Sequence, residues 1–402
     1  MQSNLFPACA GPAHSRRILI AVPTVTSYRL FLSELMIELV ARGWEVHFAS
    51  SLEPIKGFDC YTEPIAGTAH SILFPRGANL FGHVKAGRSF DALVKRIQPD
   101  IIHCHFSVTA FTAAMARRRG WPRTIATIQG LMFPETSGWR KAVFGLAEAF
   151  AHLRMDGTWV LTQSDVDALA SLGLRSGVFL QESTGFGCRL DRFDRCRFSA
   201  AEVGALRQRY GIDEADFIFV FVGRQVHFKG FGLVVRSFLE IAKKHRRAKL
   251  LLIGQRDPLH ATGLTQIEEQ ALANSNQIIQ VGWQTDVAQF LTLAHVNVFP
   301  SQREGIPVNL MESLATGVPV ITLDSRGCRD VVRSEIDGLV VSHPTTAMVR
   351  SAMERMMNDE ALRSRFSANA LAGRGRFDRN VWINEQVRIY EQVLARPAEI
   401  RT

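Results

Sequence analysis

The 402-residue chain has no apolar run approaching the roughly 20 residues needed to cross a bilayer. That excludes an integral membrane protein built from helices. The stretch Met1–Ser15 lacks a basic start followed by a long apolar core, so no secretory leader is expected there. The six cysteines, Cys9, Cys60, Cys104, Cys188, Cys196 and Cys328, are scattered, and none forms Cys-x-x-Cys. This argues against a zinc module and for reduced thiols in a cytoplasm. There is no Gly-x4-Gly-Lys-Ser/Thr loop, so Asp213-Glu214-Ala215-Asp216 is not part of a helicase. The Gly185–Gly187 run lacks the third glycine of a dinucleotide fingerprint. Short repeats and low-complexity tracts are absent.

What remains is an ordinary globular composition, 47% apolar and 21% charged, long enough for two domains. The formal charge is +9. Its basic clusters are Lys95-Arg96, Arg117-Arg118-Arg119, Arg140-Lys141 and Lys243-Lys244 with Arg246-Arg247. Each reads either as a solvated helix end, where cations suit the dipole, or as contact with an anionic leaflet, worth about 1 kcal/mol per cation. Nucleic acid is not expected as a partner, because no recognition motif with interleaved aromatics accompanies the charge.

The first half alternates strand and helix. Strands are expected at Arg16–Val22, Trp44–Ala49, Asp100–His105, Arg123–Ile128 and Thr158–Thr162. Helices are expected at Tyr28–Arg42, Val84–Ile97 and Val108–Arg119. The second half repeats the pattern with strands Phe217–Val222, Leu250–Ile253, Gln277–Val281, Val296–Phe299 and Val318–Ile321. Such alternation predicts α/β domains with doubly wound parallel sheets, whose ligands bind at the carboxyl ends of strands. Residues 1–15 and 397–402 read as tails.

Two loops carry the chemistry. In Pro300–Glu312, Gly305 permits a tight turn and Pro307 suits the first position of a helix running to Thr316 and stopping at Gly317. Free backbone N–H groups from Val308 onward would form an anion site. Glu304 in the loop and Glu312 inside the helix could contact opposite ends of an elongated phosphorylated ligand. The same residues also read as a polar loop and a solvated glutamate. The apolar run Phe217–Val222 ends in Gly223-Arg224, with Lys229-Gly230 close behind, before an amphipathic helix to about Lys244. Arg224 and Lys229 there suit a diphosphate, or are ordinary surface cations.

Taken together these residues resemble the nucleotide-sugar site of the retaining GT-B glycosyltransferases of family 4, of the bacterial surface-polysaccharide type. Val222-Gly223-Arg224 with Lys229-Gly230 looks like that family's diphosphate loop. Glu304 and Glu312 look like its pair of glutamates. Gly317–Ile321, Gly327–Val332 and Asp337–Val340 match in order and spacing, and Gly185–Phe193 looks like a variant of the segment that opens the second domain.

The resemblance implies two Rossmann-like domains facing a cleft: residues 1–190 binding acceptor, 191–377 binding donor, and a C-terminal helix, about Val381–Leu394 within 378–402, crossing back to the first domain. It implies that Arg224 and Lys229 neutralise the diphosphate, aided by Val308 and Asn309 N–H groups beside Gly305. Glu304 would accept from sugar hydroxyls, Glu312 from ribose hydroxyls, and the base would contact backbone near Gln255, Gly282 and Trp283. Glu304, Arg224 and Lys229 would be the catalytic groups.

The expected activity is transfer from a nucleotide-sugar, by default a uridine one, to a lipid-linked saccharide. Retention without an obvious nucleophile implies departure and attack on one face. No metal and no cofactor are expected, since cations and a helix dipole supply the field. Asp165-Val166-Asp167 spells a metal motif, but Thr162-Gln163-Ser164 before it marks a helix cap. Localisation is expected to be cytoplasmic, at the inner face of the membrane.

Acceptor candidates are Thr26 in the loop Pro23–Tyr28, His105, and Gln129 in the loop Gln129–Gly138. Gln129 departs from the His common in the family and cannot carry a proton. His103-Cys104-His105 alternates across a strand, which disfavours a metal cluster; His105 reads as core or acceptor site. Alternatives are a degenerate domain that only binds an active partner and an epimerase on the same fold.

Overall fold

A computed structural model describes residues 16–53, 65–75, 77, 79–258 and 260–395. The expected tails, Cys9 and Cys60 lie outside the described residues. Two sheets organise the chain. The first has seven strands, β1 (Arg17–Thr24), β2 (Glu45–Ser51), β3 (Thr68–Ser71), β4 (Ile101–His105), β5 (Arg123–Ile128), β6 (Gly157–Val160) and β7 (Val178–Leu180), in the order β3-β2-β1-β4-β5-β6-β7. The second has six, β8 (Phe217–Val222), β9 (Ala248–Ile253), β10 (Ile278–Gly282), β11 (Val296–Phe299), β12 (Val320–Leu323) and β13 (Gly338–Val341), in the order β10-β9-β8-β11-β12-β13. Pairing is parallel from β3 through β5 and throughout the second sheet.

The strands are nearly continuous apolar runs because both faces are covered. Ile218–Phe221 and Leu250–Leu252 are fully buried. The helix Phe231–Ala242 shows why: Phe231, Val234, Val235, Phe238 and Ile241 recur at helical spacing and are all buried. Strand order reverses between β1 and β4 in the first sheet and between β8 and β11 in the second. At such switch points connections leave in opposite directions and open a crevice beyond the strand ends.

The chain splits into two compact units. One comprises the residues up to Thr127, Leu146–Thr158 and those from Val387 on; the other comprises Ile128–Gly145 and Trp159–Gln386. Within the first, Tyr390 donates to or accepts from His103 Nδ1 at 2.7 Å and packs on Trp44. Its helix spans Arg379–Ala395.

Some boundaries differ from those expected. The strand expected at Val318–Ile321 begins at Val320. Gly317 takes φ +77°, the Val318 N–H turns back to Ser313 O at 2.8 Å, and Pro319 has no N–H, so two residues are spent ending the preceding helix. Tyr28–Arg42 is not one helix: Val25–Ser27, a π-helical turn Tyr28–Leu32 and Ser33–Ala41 follow one another.

Candidate functional site

The loops after β8 and β11 flank the switch point of the second sheet, and they hold the expected donor residues. Beyond β8, a single turn His227–Lys229 ends at Gly230, whose φ is +78°. A Cβ there would collide with the Pro300 carbonyl, so glycine is what lets the β8 loop lie against the β11 loop. Lys229 Nζ is 2.5 and 2.7 Å from the two Glu304 carboxylate oxygens, and the Ser301 hydroxyl is 2.7 Å from Oε1. The Glu304 side chain is only 9% exposed. Arg224 pairs with buried Asp257 at 2.5 Å, and His260 Nδ1 lies 3.1 Å from the same oxygen. The Phe228 ring gathers three cations, with Arg224, Lys229 and Arg303 at 5.5, 6.0 and 5.1 Å from its centre.

The helix expected after the loop runs Val308–Ala315, with Pro307 as its N-cap rather than its first residue. The extended ψ of 112° at Pro307 makes it the flanking position, so the helix starts one residue later. The Asn309 amide donates to Val222 O at 2.8 Å, which fixes the helix start against the end of β8. Val308, Asn309 and Gly305 are part-exposed beside Glu304 in sequence.

Glu312 lies one turn further in and is half-buried. Burial pushes its pKa up to about 7, with the Arg379 and Arg192 charges opposing. The ends of β8, β9 and β10 are stitched together: Gly223 N donates to Ile253 O, Gly254 N to Gly282 O at 2.8 Å, and Gln225 N to Gln255 O at 3.0 Å. Gly282 has φ +75° and open space around it, and Trp283 is half-buried.

Gln129 joins this group. A Cβ at Gly305 would sit 2.6 Å from the Gln129 carbonyl oxygen. Holding the two loops together is Arg326. Its guanidinium donates to Leu131 O at 2.8 Å and to Asp165 at 2.9 Å, and Nε reaches Glu304 O at 3.4 Å. Asp165 is fully buried; burial raises its pKa and Arg326 opposes that rise. Thr162 caps the helix Gln163–Ser171 by accepting from the Asp165 N–H, as the capping reading expects.

Arg326, Asp257 and Ser301 were not picked out by sequence reasoning. Asp165 was read only as a cap. The pairs Arg224–Asp257 and Arg326–Asp165 have no local signal, because their members lie 33 and 161 residues apart.

Thr26 and His105 belong to the other unit. Thr26 follows β1 and His105 ends β4, the strands flanking the first sheet's switch point. Thr26 is buried in the turn Val25–Ser27. His105 is fully buried, and burial lowers its pKa to about 3, so it stays neutral. Its ring lies 4.0 Å from that of His103, which is held between Tyr390 and Thr127. Phe106 after it takes φ +72°, a strained turn at the strand end.

Two doubly wound domains of seven and six parallel strands define the GT-B architecture. Residues 28–179 match the family model described as "Glycosyl transferase 4-like domain", and 203–372 that described as "Glycosyl transferases group 1". The chain belongs to these glycosyltransferases. It is 25% identical over 335 residues to the capsular polysaccharide biosynthesis glycosyltransferase CapM of Staphylococcus aureus, covering 82% of this chain and 84% of that one. It is 24% identical over 305 residues to the UDP-Gal:alpha-D-GlcNAc-diphosphoundecaprenol alpha-1,3-galactosyltransferase of Escherichia coli, covering 71% and 74%. Among solved structures, Anabaena HepE in complex with UDP and glucose superposes with a TM-score of 0.76 at 15% identity, covering 94% of this chain and all of that one.

Proposed function

We propose that this glycosyltransferase uses a nucleotide-sugar, by default a uridine diphosphate sugar, and transfers the sugar with retention and without a metal to a lipid-linked saccharide in surface-polysaccharide assembly. It would work in the cytoplasm at the inner face of the membrane. The observation that carries the reading is the cation pair Arg224 and Lys229 beside Glu304, at the β8–β11 switch point.

Each cation is paired with a carboxylate, Asp257 or Glu304. A diphosphate would compete for both cations. Arg224 and Lys229 would then stabilise charge developing on the leaving phosphate, together with N–H groups at Val308 and Asn309. Released from Lys229, Glu304 would accept from a sugar hydroxyl. Glu312 would accept from ribose hydroxyls, and backbone near Gln255, Gly282 and Trp283 would meet the base. Attack from the side of the departing phosphate lets that oxygen take the acceptor's proton, so Gln129 need not carry one. Thr26, His105 and Gln129 are proposed on the acceptor side. The relatives' names favour a lipid-linked acceptor, since one of them is a diphosphoundecaprenol galactosyltransferase.

The test is nucleotide release from a panel of nucleotide-sugars, with water alone and then with a polyprenyl-diphosphate saccharide. Release of one nucleotide that rises with the lipid acceptor supports the proposal. Tight nucleotide binding with no release under either condition would instead favour a non-catalytic binding partner, the reading that Gln129 suggests. Failure to bind any nucleotide would overturn the site.

A further inference from the structure

The carboxylate that holds Arg224 also holds a histidine. Asp257 Oδ2 accepts from Arg224 Nη1 at 2.5 Å and lies 3.1 Å from His260 Nδ1. A carboxylate only accepts, so His260 Nδ1 carries the hydrogen and donates it. The backbone fixes this sharing. Gln225 and Arg256 form a bridge beyond β8 and β9, the His227 N–H donates to Ala261 O at 2.9 Å, and the His260 N–H donates to Asp257 O at 3.3 Å. The His260 ring lies 5.5 Å from that of Phe228 at an angle of 82°, and Phe228 is the ring that Arg224, Lys229 and Arg303 share. The Asp257 side chain is 2% exposed, whereas that of His260 is 47% exposed. So deep a carboxylate is costly to strip of its donors.

The two cations of the site are built alike. Lys229 is held by Glu304, and the Ser301 hydroxyl is already 2.7 Å from that carboxylate. Arg224 is held by Asp257, and His260 is already on that one. Each carboxylate therefore keeps a second donor when its cation turns to another anion. Arg256, next to Asp257, is engaged with Glu269 at 3.1 Å, so it cannot replace Arg224 without breaking that pair. The Arg224–Asp257 contact uses one guanidinium nitrogen, whereas a diphosphate offers Arg224 a two-pronged partner.

We propose that Asp257 is an internal competitor of the nucleoside diphosphate. It yields Arg224 to the diphosphate while His260 stays on the carboxylate, and it takes Arg224 back as the diphosphate product leaves. This exchange rests on the donor-site reading of Arg224. The free energy needed to break the Arg224–Asp257 pair is subtracted from nucleotide affinity, and the pair re-forming opposes rebinding. His260 lowers the cost of the open state by keeping a donor on the buried carboxylate. Product release limits turnover in many enzymes, and a built-in anion of this kind hastens it.

Calorimetry of the full chain with UDP, GDP and ADP finds the nucleotide that binds tightest, and that one is used throughout. Asp257→Asn should tighten its binding at least about fivefold, and the same change in an Arg224→Ala background should have no effect. His260→Leu should weaken binding at least about threefold, and should have no effect on top of Asp257→Asn. Loss of a merely structural contact would weaken binding in every background, and melting temperature reports folding. Weaker or unchanged binding by folded Asp257→Asn overturns the proposal and makes Asp257 a group that orients Arg224. If Asp257→Asn does not fold, His260→Leu decides alone. Weakening that disappears in the Arg224→Ala background supports the exchange; unchanged binding, or equal weakening in both backgrounds, overturns it. Failure of the parent to bind any of the three nucleotides overturns the donor-site reading and the exchange with it, whereas binding with the wrong signs in the variants overturns the exchange alone.

Discussion

The Lys229 ammonium bridges both carboxylate oxygens of Glu304, at 2.5 and 2.7 Å, across 75 residues of sequence. This pair ties together the two loops at the switch point. Lys229→Ala and Glu304→Gln should each lower kcat/KM at least about 100-fold, the usual cost of removing one well-placed electrostatic group. Steady-state kinetics on the identified donor check this. Near-normal turnover in either variant would remove that residue from the chemistry.

In its proposed ribose-binding role, Glu312 should set a pH dependence. Burial raises its pKa from 4.5 to about 7. A ribose hydroxyl donates to a carboxylate, so kcat/KM should rise as pH rises through about 7 and then level off. The effect on stability has the opposite sign. The folded chain holds this proton more tightly than the unfolded chain, so the contribution is full below about pH 4.5 and is lost as pH rises through about 7. Glu312→Gln should flatten both dependences. The measurements are the pH profiles of kcat/KM and of melting temperature; a parent-like kinetic profile in the variant assigns the ionisation to another group.

Arg326 and Asp165 form a buried ion pair, at 8% and 0% side-chain exposure. Arg326→Met leaves a carboxylate with its raised pKa in the interior and should cost about 3–5 kcal/mol; removing both charges should cost less than the two single changes added together. Denaturant unfolding of the singles and of Arg326→Met with Asp165→Leu measures this. Because Arg326 also carries the Leu131 and Glu304 carbonyls, the double variant should still lose turnover. Strictly additive stability changes would mean the pair is uncoupled.

Two glycines should respond in opposite directions. Gly230→Ala places a Cβ against the Pro300 carbonyl at φ +78° and should destabilise by about 1–3 kcal/mol, with loss of nucleotide binding. Gly204, inside the helix Ala200–Arg209, has nothing within 4 Å of a Cβ. Gly204→Ala should stabilise by about 0.5–1 kcal/mol. Thermal melts of the two variants compare them directly.

The sequence by itself determined the elements whose signal is local. β5, β8 and β11 occupy the expected Arg123–Ile128, Phe217–Val222 and Val296–Phe299; β8 is a continuous apolar run, as a strand buried on both faces favours, while β5 and β11 also bury Thr124, Thr127 and Asn297. Gly317 ends the helix after Glu312 because its φ of +77° suits glycine. The basic residues after β8 and the glutamates after β11 were legible as a pattern, since strand ends in such sheets are where ligands bind.

Only the tertiary structure decided which charges meet. Nothing near Arg224 in the chain points to Asp257, nor near Arg326 to Asp165, 161 residues away. Nor could sequence tell that Arg117 is spent on Asp156. Hydrophobic periodicity fixes local elements, whereas ion pairing and burial depend on which elements the sheet order places side by side.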